Sequence, residues 1–560
     1  MNNRQEELLA KLVAFGGGFT SIFIIASLTM DPVNLPKMFV LIVISFTTIG
    51  IWGFQKYPDS IQKNKSLIGV LVAFIVGLLA STLFARIPLE TSIFGTSGRN
   101  TGALSYVSLT ILLYSVSLIR NVGNLRKILA GLAVAGFINV IYGLQVTALG
   151  KDFFPWRNPY GTIIGTFGNP DFLSAFLGMS FSVTFAYLIF SKKKNYIYGV
   201  ILVSPLYVFL ILKTKALQGL IVLALGLVII GFFFVRIRFS KKLQFTYIIT
   251  MMFLGSMSIL GMLQVGPLTS FLYKTSVSLR GEYWRAAFNM IRSSPIYGLG
   301  MDSYGNFYRR FRNISALTSP GVDVTTDSAH NVFLDIFVGG GLILGISYLI
   351  LNFMVIHRII TIIKSRNNHD PIFISLTTGW ICYTAQSVIS INQLGLAIWG
   401  WILSGAIFAY SKILVNESRI INKDYGINVK AKKYRKVELE AGNWLLMIIF
   451  SILGFVIAIL PVRPEAAWRH AGKIGDAKKL IQAMNSWPQS TDRYLQTSKV
   501  LAGSNLGAEA LNSLKVGLQH DRDFYNGWLI LYSSTKDNKE KLTSLSELHR
   551  LDPLNPEFKP

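Results

Sequence analysis

The sequence is poor in several groups on which enzymes and switches are commonly built. It has one cysteine, Cys382, inside an apolar run, so it forms no intrachain disulfide and no thiolate metal site. It contains no P-loop, no dinucleotide-binding glycine fingerprint and no HExxH, which removes the best-marked nucleotide, nicotinamide and zinc-peptidase chemistries. Acids are scarce, 28 against 54 Lys and Arg. No carboxylate cluster outside the apolar runs looks arranged for a divalent ion, so metal-independent chemistry is expected and no cofactor is implied. Charges within the apolar runs are scarcer still, with Asp335 the main exception, which weighs against an ion-coupled pump.

What the chain has in excess is apolar sequence: 51% of its 560 residues are hydrophobic and the mean hydropathy is +0.47. A helix crosses a bilayer in about 20 residues. Runs of suitable make-up fall near 12–30, 36–54, 66–85, 101–119, 125–149, 172–190, 195–213, 216–235, 244–265, 331–356, 371–391, 394–411 and 443–461. They predict an all-α polytopic membrane protein with about thirteen transmembrane helices. The N-terminal MNNRQEELLAKLVAFGGGF carries acids and has no small-residue cleavage site, so it is expected to remain as a first span.

The formal net charge of +26 suggests nucleic acid at first sight, but its distribution follows a membrane topology. With a cytoplasmic N-terminus, one set of loops holds Lys56, Lys63 and Lys65; Arg120, Arg126 and Lys127; Lys192 to Lys194; Arg236, Arg238, Lys241 and Lys242; Arg358, Lys364 and Arg366; and the run Lys412 to Lys436. The opposite short loops hold far fewer: Lys37, then Arg86 and Arg99, then Lys151 and Arg157, then Lys213 and Lys215. Positive charge collects on the cytoplasmic side, so no nucleic-acid partner is needed to explain it. Merging the runs 371–391 and 394–411, which only Asn392 and Gln393 separate, would put the Lys412 to Lys436 cluster outside, and the charge pattern argues against that. The expectation is a multi-pass membrane protein in contact with membrane lipids. A membrane domain, 1–461, carries a large extracytoplasmic loop at 266–330. An extracytoplasmic helical module, 462–560, follows and offers a surface for a protein partner.

The module alternates apolar and polar residues at helical spacing, and its ending, HRLDPLNP, resembles the close of a tetratricopeptide repeat. Asp521-Arg522-Asp523 looks superficially like a metal-binding DxD, but at an expected helix start acids are ordinary caps. The loop carries Arg280, Arg285, Arg292, Arg309, Arg310 and Arg312, a density of cations suited to an anionic ligand. Arg280 and Trp284 share a helix face at i, i+4 in an amphipathic stretch that Pro295 ends. Gly298, Gly300 and Gly305 then allow tight turns and close approach to a ligand. Arg309, Arg310 and Arg312 read as a solvated or lipid-facing cluster. His330, at the point of re-entry into the membrane, can take a proton near neutral pH. Gly165, Gly168, Asn169 and Pro170 describe a turn into a span, and Arg99 can join the same anion site.

Three stretches, GTFGNPDFLSAFL, RGEYWRAAFNMIRSSPIYGLGMDSYGNFY and DSAHNVFLDIFVGGGLILG, resemble the O-antigen ligase/polymerase superfamily of bacterial membrane glycosyltransferases. Its Arg, Trp, P-x-x-G-x-G and His-Asn positions are filled in order by Arg280, Trp284, Pro295 with Gly298 and Gly300, and His330-Asn331. The resemblance implies a GT-C-like fold that moves a glycan from an undecaprenyl-pyrophosphate carrier to a glycan, lipid or protein acceptor outside the cytoplasm. It implies that Arg280 binds the pyrophosphate and that His330 is the base. Arg99, Trp284, Arg285, Gly298, Gly300, Asn331, Asn169 and Lys215 are expected to line the substrates. The sequence departs from the family at Thr214-Lys-Ala-Leu-Gln218-Gly219, where a second phosphate-binding arginine is common, leaving Lys213 or Lys215 as point charges. It departs again at Asn169-Pro170-Asp171, where Asn-Pro-Asn is common. Two rival readings remain: a polysaccharide or lipid transporter whose basic loop guides an anion, and an envelope scaffold that works through its helical tail.

Overall fold

The computed structural model describes residues 1–52, 65–154, 156, 158–191, 193, 195–272, 275–366, 369–424 and 441–558. Lys56, Lys63, Arg157, Lys192, Lys194 and most of the Lys412 to Lys436 cluster lie outside the described residues. Every apolar run is a helix: α1 Asn3–Ile22, α2 Asn34–Trp52, α3 Lys65–Leu83, then, after the short α4 Leu89–Phe94, α5 Ala103–Ser117, α6 Val122–Leu149, α7 Pro170–Phe190, α8 Tyr196–Lys213, α9 Leu217–Arg238 and α10 Lys241–Met262. The loop contributes α11 Thr275–Ser293 and α12 Tyr304–Phe311. α13 Val332–Ser365, α14 Pro371–Val388, α15 Leu394–Asp424 and α16 Ala441–Ile474 follow. The runs separated by Asn392 and Gln393 are thus two helices, α14 and α15, packed on each other.

Among the described residues, nine helices are long and apolar enough to cross a membrane. Those outside this set, α1, α5, α8 and α14, are shorter or carry more polar residues. α1 and α14 bury hydroxyls such as Thr20, Ser21, Thr377 and Thr378 inside the bundle. An interior helix need not be as apolar as one facing lipid, because its polar groups find partners on neighbours. Ser21 Oγ, for example, donates to the Gly395 carbonyl (2.8 Å) and accepts from Trp399 Nε1 (2.8 Å). Lipid-facing surfaces are the outer stripes of α3, α9 and α10, where Val72, Leu79, Leu227, Phe245 and Met252 stand exposed.

The interhelical segments sort onto two faces. Segments 23–33, 84–102, 150–169 and 389–393, the 266–330 loop and the tail meet around shared cavities on one face. On the other, Asn121 N–H and Asn124 Nδ2 donate to Glu6 Oε1, and Arg236 donates to the Ile363 carbonyl (2.6 Å).

α13 is broken. Gly341 has φ 64° and ψ −162°, and the backbone opened there receives the turn that follows α11. Leu299 N–H donates to the Val338 carbonyl (2.9 Å), Gly300 N–H to Gly339 (3.0 Å) and Leu342 N–H to the Pro295 carbonyl (2.7 Å). A Cβ on Gly298 would lie 2.3 Å from the Gly339 oxygen, and φ there is 72°. These glycines admit the backbone of α13, and neither Gly298 nor Gly300 lines the two main cavities. The close approach expected toward a ligand is spent on fixing the loop to the bundle.

α16 is one 34-residue helix of about 51 Å at 1.5 Å per residue, and it passes through Val462, the expected domain boundary, without interruption. α17 Ala477–Met484, α18 Thr491–Gly503, α19 Gly507–His520, α20 Tyr525–Ser534 and α21 Asn538–Leu551 form successive packed pairs after it.

The cluster Arg309, Arg310 and Arg312 is neither solvated nor turned to lipid. Arg312 makes a doubly hydrogen-bonded pair with Asp552 (2.8 and 2.8 Å), both side chains having no exposed surface. Arg309 reaches the same carboxylate (3.1 Å) and lies over the Tyr525 ring (4.3 Å). Arg310 pairs with Asp523 (2.8 Å), which also holds Arg550 (2.7 Å). The reversal has a simple cause: the acids that neutralise the cluster lie more than 200 positions away in the chain. Removing one side of a buried, bidentate pair costs about 3 kcal/mol, because it strands the other charge. Asp552→Asn should therefore loosen the tail from α12, seen as faster hydrogen exchange in α12, α20 and α21, with the exchange of α7 and α9 unchanged.

Candidate functional site

His330 immediately precedes Asn331, the N-cap of α13, whose Oδ1 accepts from Leu334 N–H (3.1 Å). Its backbone is left-handed, φ 53°, an uncommon state for a residue with a side chain. A chain of bonds enforces it. Asp335, one turn into α13, accepts from Ala329 N–H (2.9 Å) and from Ser328 Oγ (2.6 Å), and that hydroxyl in turn accepts from His330 N–H (2.9 Å). The ring Nδ1 lies 3.2 Å from the Ser328 carbonyl oxygen. Only a protonated nitrogen can bond a carbonyl, so Nδ1 carries the hydrogen and Nε2 is left with its lone pair. Burial lowers the pKa of His330 below 6.5; the Ser328 carbonyl opposes this and the Arg280 charge adds to it. The ring is therefore neutral at pH 7 and able to accept a proton.

Arg280 and His330 meet through Tyr283. The His330 ring lies on the Tyr283 ring (centroids 5.5 Å apart, 32° between planes), and Tyr283 is one helical turn from Arg280 on α11. Tyr304 Oη donates to the Tyr283 carbonyl (2.7 Å) and fixes α11 over α12. Arg280 Nε is buried with no hydrogen-bond partner among the described residues, and Asp171, at the start of α7, acts on its charge from a distance. A half-buried guanidinium with an unpartnered Nε suits an oxyanion. Trp284 packs against the loop core and its Nε1 is also buried without a partner. Arg285 is exposed and pairs with Glu282 within the helix (3.2 Å).

Arg99 has a different setting from the one expected. Its Nε lies 2.9 Å from Asp302, whose side chain is wholly buried, and its other nitrogens reach Asp327 (3.6 Å) and Asp335 (4.0 Å). Burial works against its charge, but these three carboxylates prevail and hold its pKa above the ordinary value. Its charge is already matched, so it acts as a tie between segments. Asn169 caps α7, accepting from Asp171 N–H (2.8 Å), and donates from Nδ2 to Tyr160 Oη (3.0 Å). It lines a cavity of ≈ 510 Å³ with Arg99, Trp156, Tyr160 and Gln393. Lys215 is exposed, φ 57°, in the turn before α9, and the first turn of α9 lies against α7 with Gly219 on Ser174. Gln218 is buried there with its Nε2 unpartnered. His330 opens on a second cavity of ≈ 620 Å³ roofed by the tail. Among the described residues, no three His, Cys, Asp or Glu side chains are grouped to hold a metal ion.

Several members of this arrangement escaped sequence reasoning. Tyr283 stood in plain view between Arg280 and Trp284, and its spacing was its only signal. Asp302 and Asp327 carried none. Asp335 was visible as the rare acid at the head of an apolar run.

The bundle, the broken helix and the histidine-arginine pair define a multi-pass helical membrane protein with a candidate site at one face of the bundle. Residues 173–349 match the family model described as O-antigen ligase, a stretch that runs from α7 into α13 and contains Arg280, Trp284 and His330. Over that stretch the chain is similar to the O-antigen ligase family. An uncharacterized protein of Haemophilus influenzae is 27% identical over 153 residues, which is 25% of this chain and 33% of that protein.

Arg99→Ala should lower the melting temperature of the purified protein sharply, since leaving Asp302 buried and unpaired costs about 3–5 kcal/mol. Arg99→Lys should recover only part of the loss, because an ammonium cannot serve three carboxylates as a planar fork does. Equal stability of wild type and Arg99→Ala would contradict the role of Arg99 as a tie.

Proposed function

We propose that the protein transfers a glycan from an undecaprenyl-pyrophosphate carrier to an acceptor hydroxyl on the extracytoplasmic side of the membrane, as a ligase or polymerase of surface polysaccharide, without a metal. The observation that carries this reading is the pairing of an uncharged His330 with a half-buried Arg280 whose Nε has no hydrogen-bond partner among the described residues. In the step envisaged, Nε2 accepts the proton of the acceptor hydroxyl as its oxygen attacks the anomeric carbon. The bond from that carbon to the phosphate oxygen breaks, and the pyrophosphate leaves with the carrier, its charge held by Arg280. Lys215 and Asn169 flank the donor from the α7 and α9 side. Arg99, Asn331, Gly298 and Gly300 position the reacting groups, and Trp284 packs under Arg280. The positive-inside pattern supports a cytoplasmic N-terminus and an external tail. The spacing of the tail helices supports tetratricopeptide-like pairing, with a surface for a protein partner.

The test is transfer from a defined lipid-pyrophosphate oligosaccharide by the purified protein in chelator. His330→Ala should reduce the rate by about 10²–10⁴ and Arg280→Ala by about 10²–10³, with Arg280→Lys between them. Undiminished transfer in His330→Ala would remove the proposed base.

The acid limb of the pH profile provides a second check. A base whose folded pKa is depressed stays neutral, and active, at and below pH 6.5, and activity falls only as pH drops through that lowered value. Arg280 contributes to the depression, so in Arg280→Gln the limb should move to higher pH, toward the ordinary imidazole value. An acid limb that stays in place would separate His330 from the proton transfer.

A further inference from the structure

The larger cavity, ≈ 620 Å³, lies between the membrane domain and the tail, with His330 and Tyr283 on one wall. Its size is that of a small-molecule site, which runs from about 300 to 1,000 Å³. Its chemistry is the opposite of the surroundings of Arg280. The two arginines that reach it are already matched, Arg309 by Asp552 and Arg493 by Glu465. Glu90 and Asp492, by contrast, line it without an ion pair among the described residues. Asn100 supplies an independent sign. It is 5% exposed, it lines the cavity, and its Oδ1 is buried with no hydrogen-bond partner among the described residues. An orphaned buried acceptor is costly unless a donor arrives from outside the protein. Aromatic rings complete the wall, Phe94 from the membrane domain and Phe524 from the tail.

We infer that this cavity is a binding site for a donor-rich, non-anionic saccharide, an amino sugar or neutral oligosaccharide whose terminal hydroxyl reaches His330, and that the tail forms half of it. Hydroxyl and ammonium groups supply the donors that Asn100 and the free carboxylates lack, and sugar faces pack on aromatic rings. A uronic acid or phosphate would bring more acceptors to a wall of acceptors. As the seat of the acceptor substrate, the site rests on the transferase reading; as a binding site, it does not.

Titration calorimetry on the full-length protein in nanodiscs, with no donor lipid, tests this with three probes: tetrasaccharides of glucosamine, of N-acetylglucosamine and of galacturonic acid. The glucosamine tetramer should bind most tightly and the galacturonate tetramer not at all. Asp492→Lys should weaken the glucosamine tetramer about tenfold, the worth of one charged hydrogen bond. Gln489→Trp, which fills the tail side of the cavity without altering charge, should weaken both glucosamine-derived probes. In the transfer assay, the same substitutions should raise the acceptor KM and leave kcat near that of the wild type. Flat isotherms for all three probes, preference for galacturonate, or affinity unmoved by both substitutions would each overturn the inference. Saccharide binding without transfer by any preparation would sink the transferase reading and leave the binding site standing.

Discussion

One buried guanidinium holds the working face together. Arg99 enters from the segment between α4 and α5 and faces Asp302 of the loop, Asp327 at its end and Asp335 of α13. Asp327 keeps contact with solvent, but taking Arg99, Asp302 and Asp335 out of water is tolerable only if each is matched and hydrogen-bonded. Asp302 meets that demand by accepting from Thr96 N–H (2.9 Å) and Thr101 N–H (3.3 Å) on Oδ2, while Oδ1 faces Arg99 as an ion pair. Asp335 meets it through Ser328 and Ala329. The second set of bonds shapes the backbone at His330, so a charge cluster three elements wide ends in the orientation of one imidazole. Asn100, Asp302 and His330 all have positive φ, and strain of this kind persists where surrounding bonds over-determine the backbone.

The break in α13 does the complementary work. A continuous helix would offer no free carbonyls to the turn after α11, since each would bond four residues on. Opening at Gly341 exposes the carbonyls of Val338 and Gly339, and Leu299 and Gly300 take them. Ser81 of α3 adds a bond to the Gly339 oxygen (2.7 Å), and Arg86 N–H donates to the Leu299 carbonyl (3.0 Å). The base of α11 is thereby tied to both α3 and α13. Arg280 and His330, fifty residues apart in sequence, sit on elements that share this anchor.

The thirteen apolar runs were legible because hydropathy and helix period are local properties, and each run holds a helix, but the edges were not: the run at 12–30 gives a helix over Asn3–Ile22, and those at 394–411 and 443–461 extend to Asp424 and Ile474. Arg280 and His330 could be singled out from local context, since a cation beside an aromatic pair and a histidine at a membrane edge are unusual in themselves. The roles of neighbouring residues could not, because they depend on distant partners. Arg309, Arg310 and Arg312 look identical in sequence whether they face water or Asp523 and Asp552. The same holds for Arg99, whose three carboxylates come from positions more than 200 residues downstream. The motif glycines had a legible property, close approach, but sequence did not say what approaches. Charge and conformational freedom are written locally, whereas their use is decided by tertiary pairing.

The tail bears on the chemistry through this electrostatic division. Without it, α12 would present three arginines beside His330, and an anionic donor could settle there as readily as near Arg280. Docking neutralises the three with Asp523 and Asp552 and brings Asp492 and Asp521 to the same cavity. Burial pushes the carboxyls of Asp492 and Asp521 up to about 6, so both remain largely ionised at pH 7 and keep the cavity negative. The field across the site then runs from the positive side at Arg280 to the negative side under the tail, with His330 between. In a transfer between an anionic donor and a donor-rich acceptor, that polarity assigns each substrate to its own side of the base. Under the proposed function, the helical module shapes the specificity of the candidate site and is not an appendage to it.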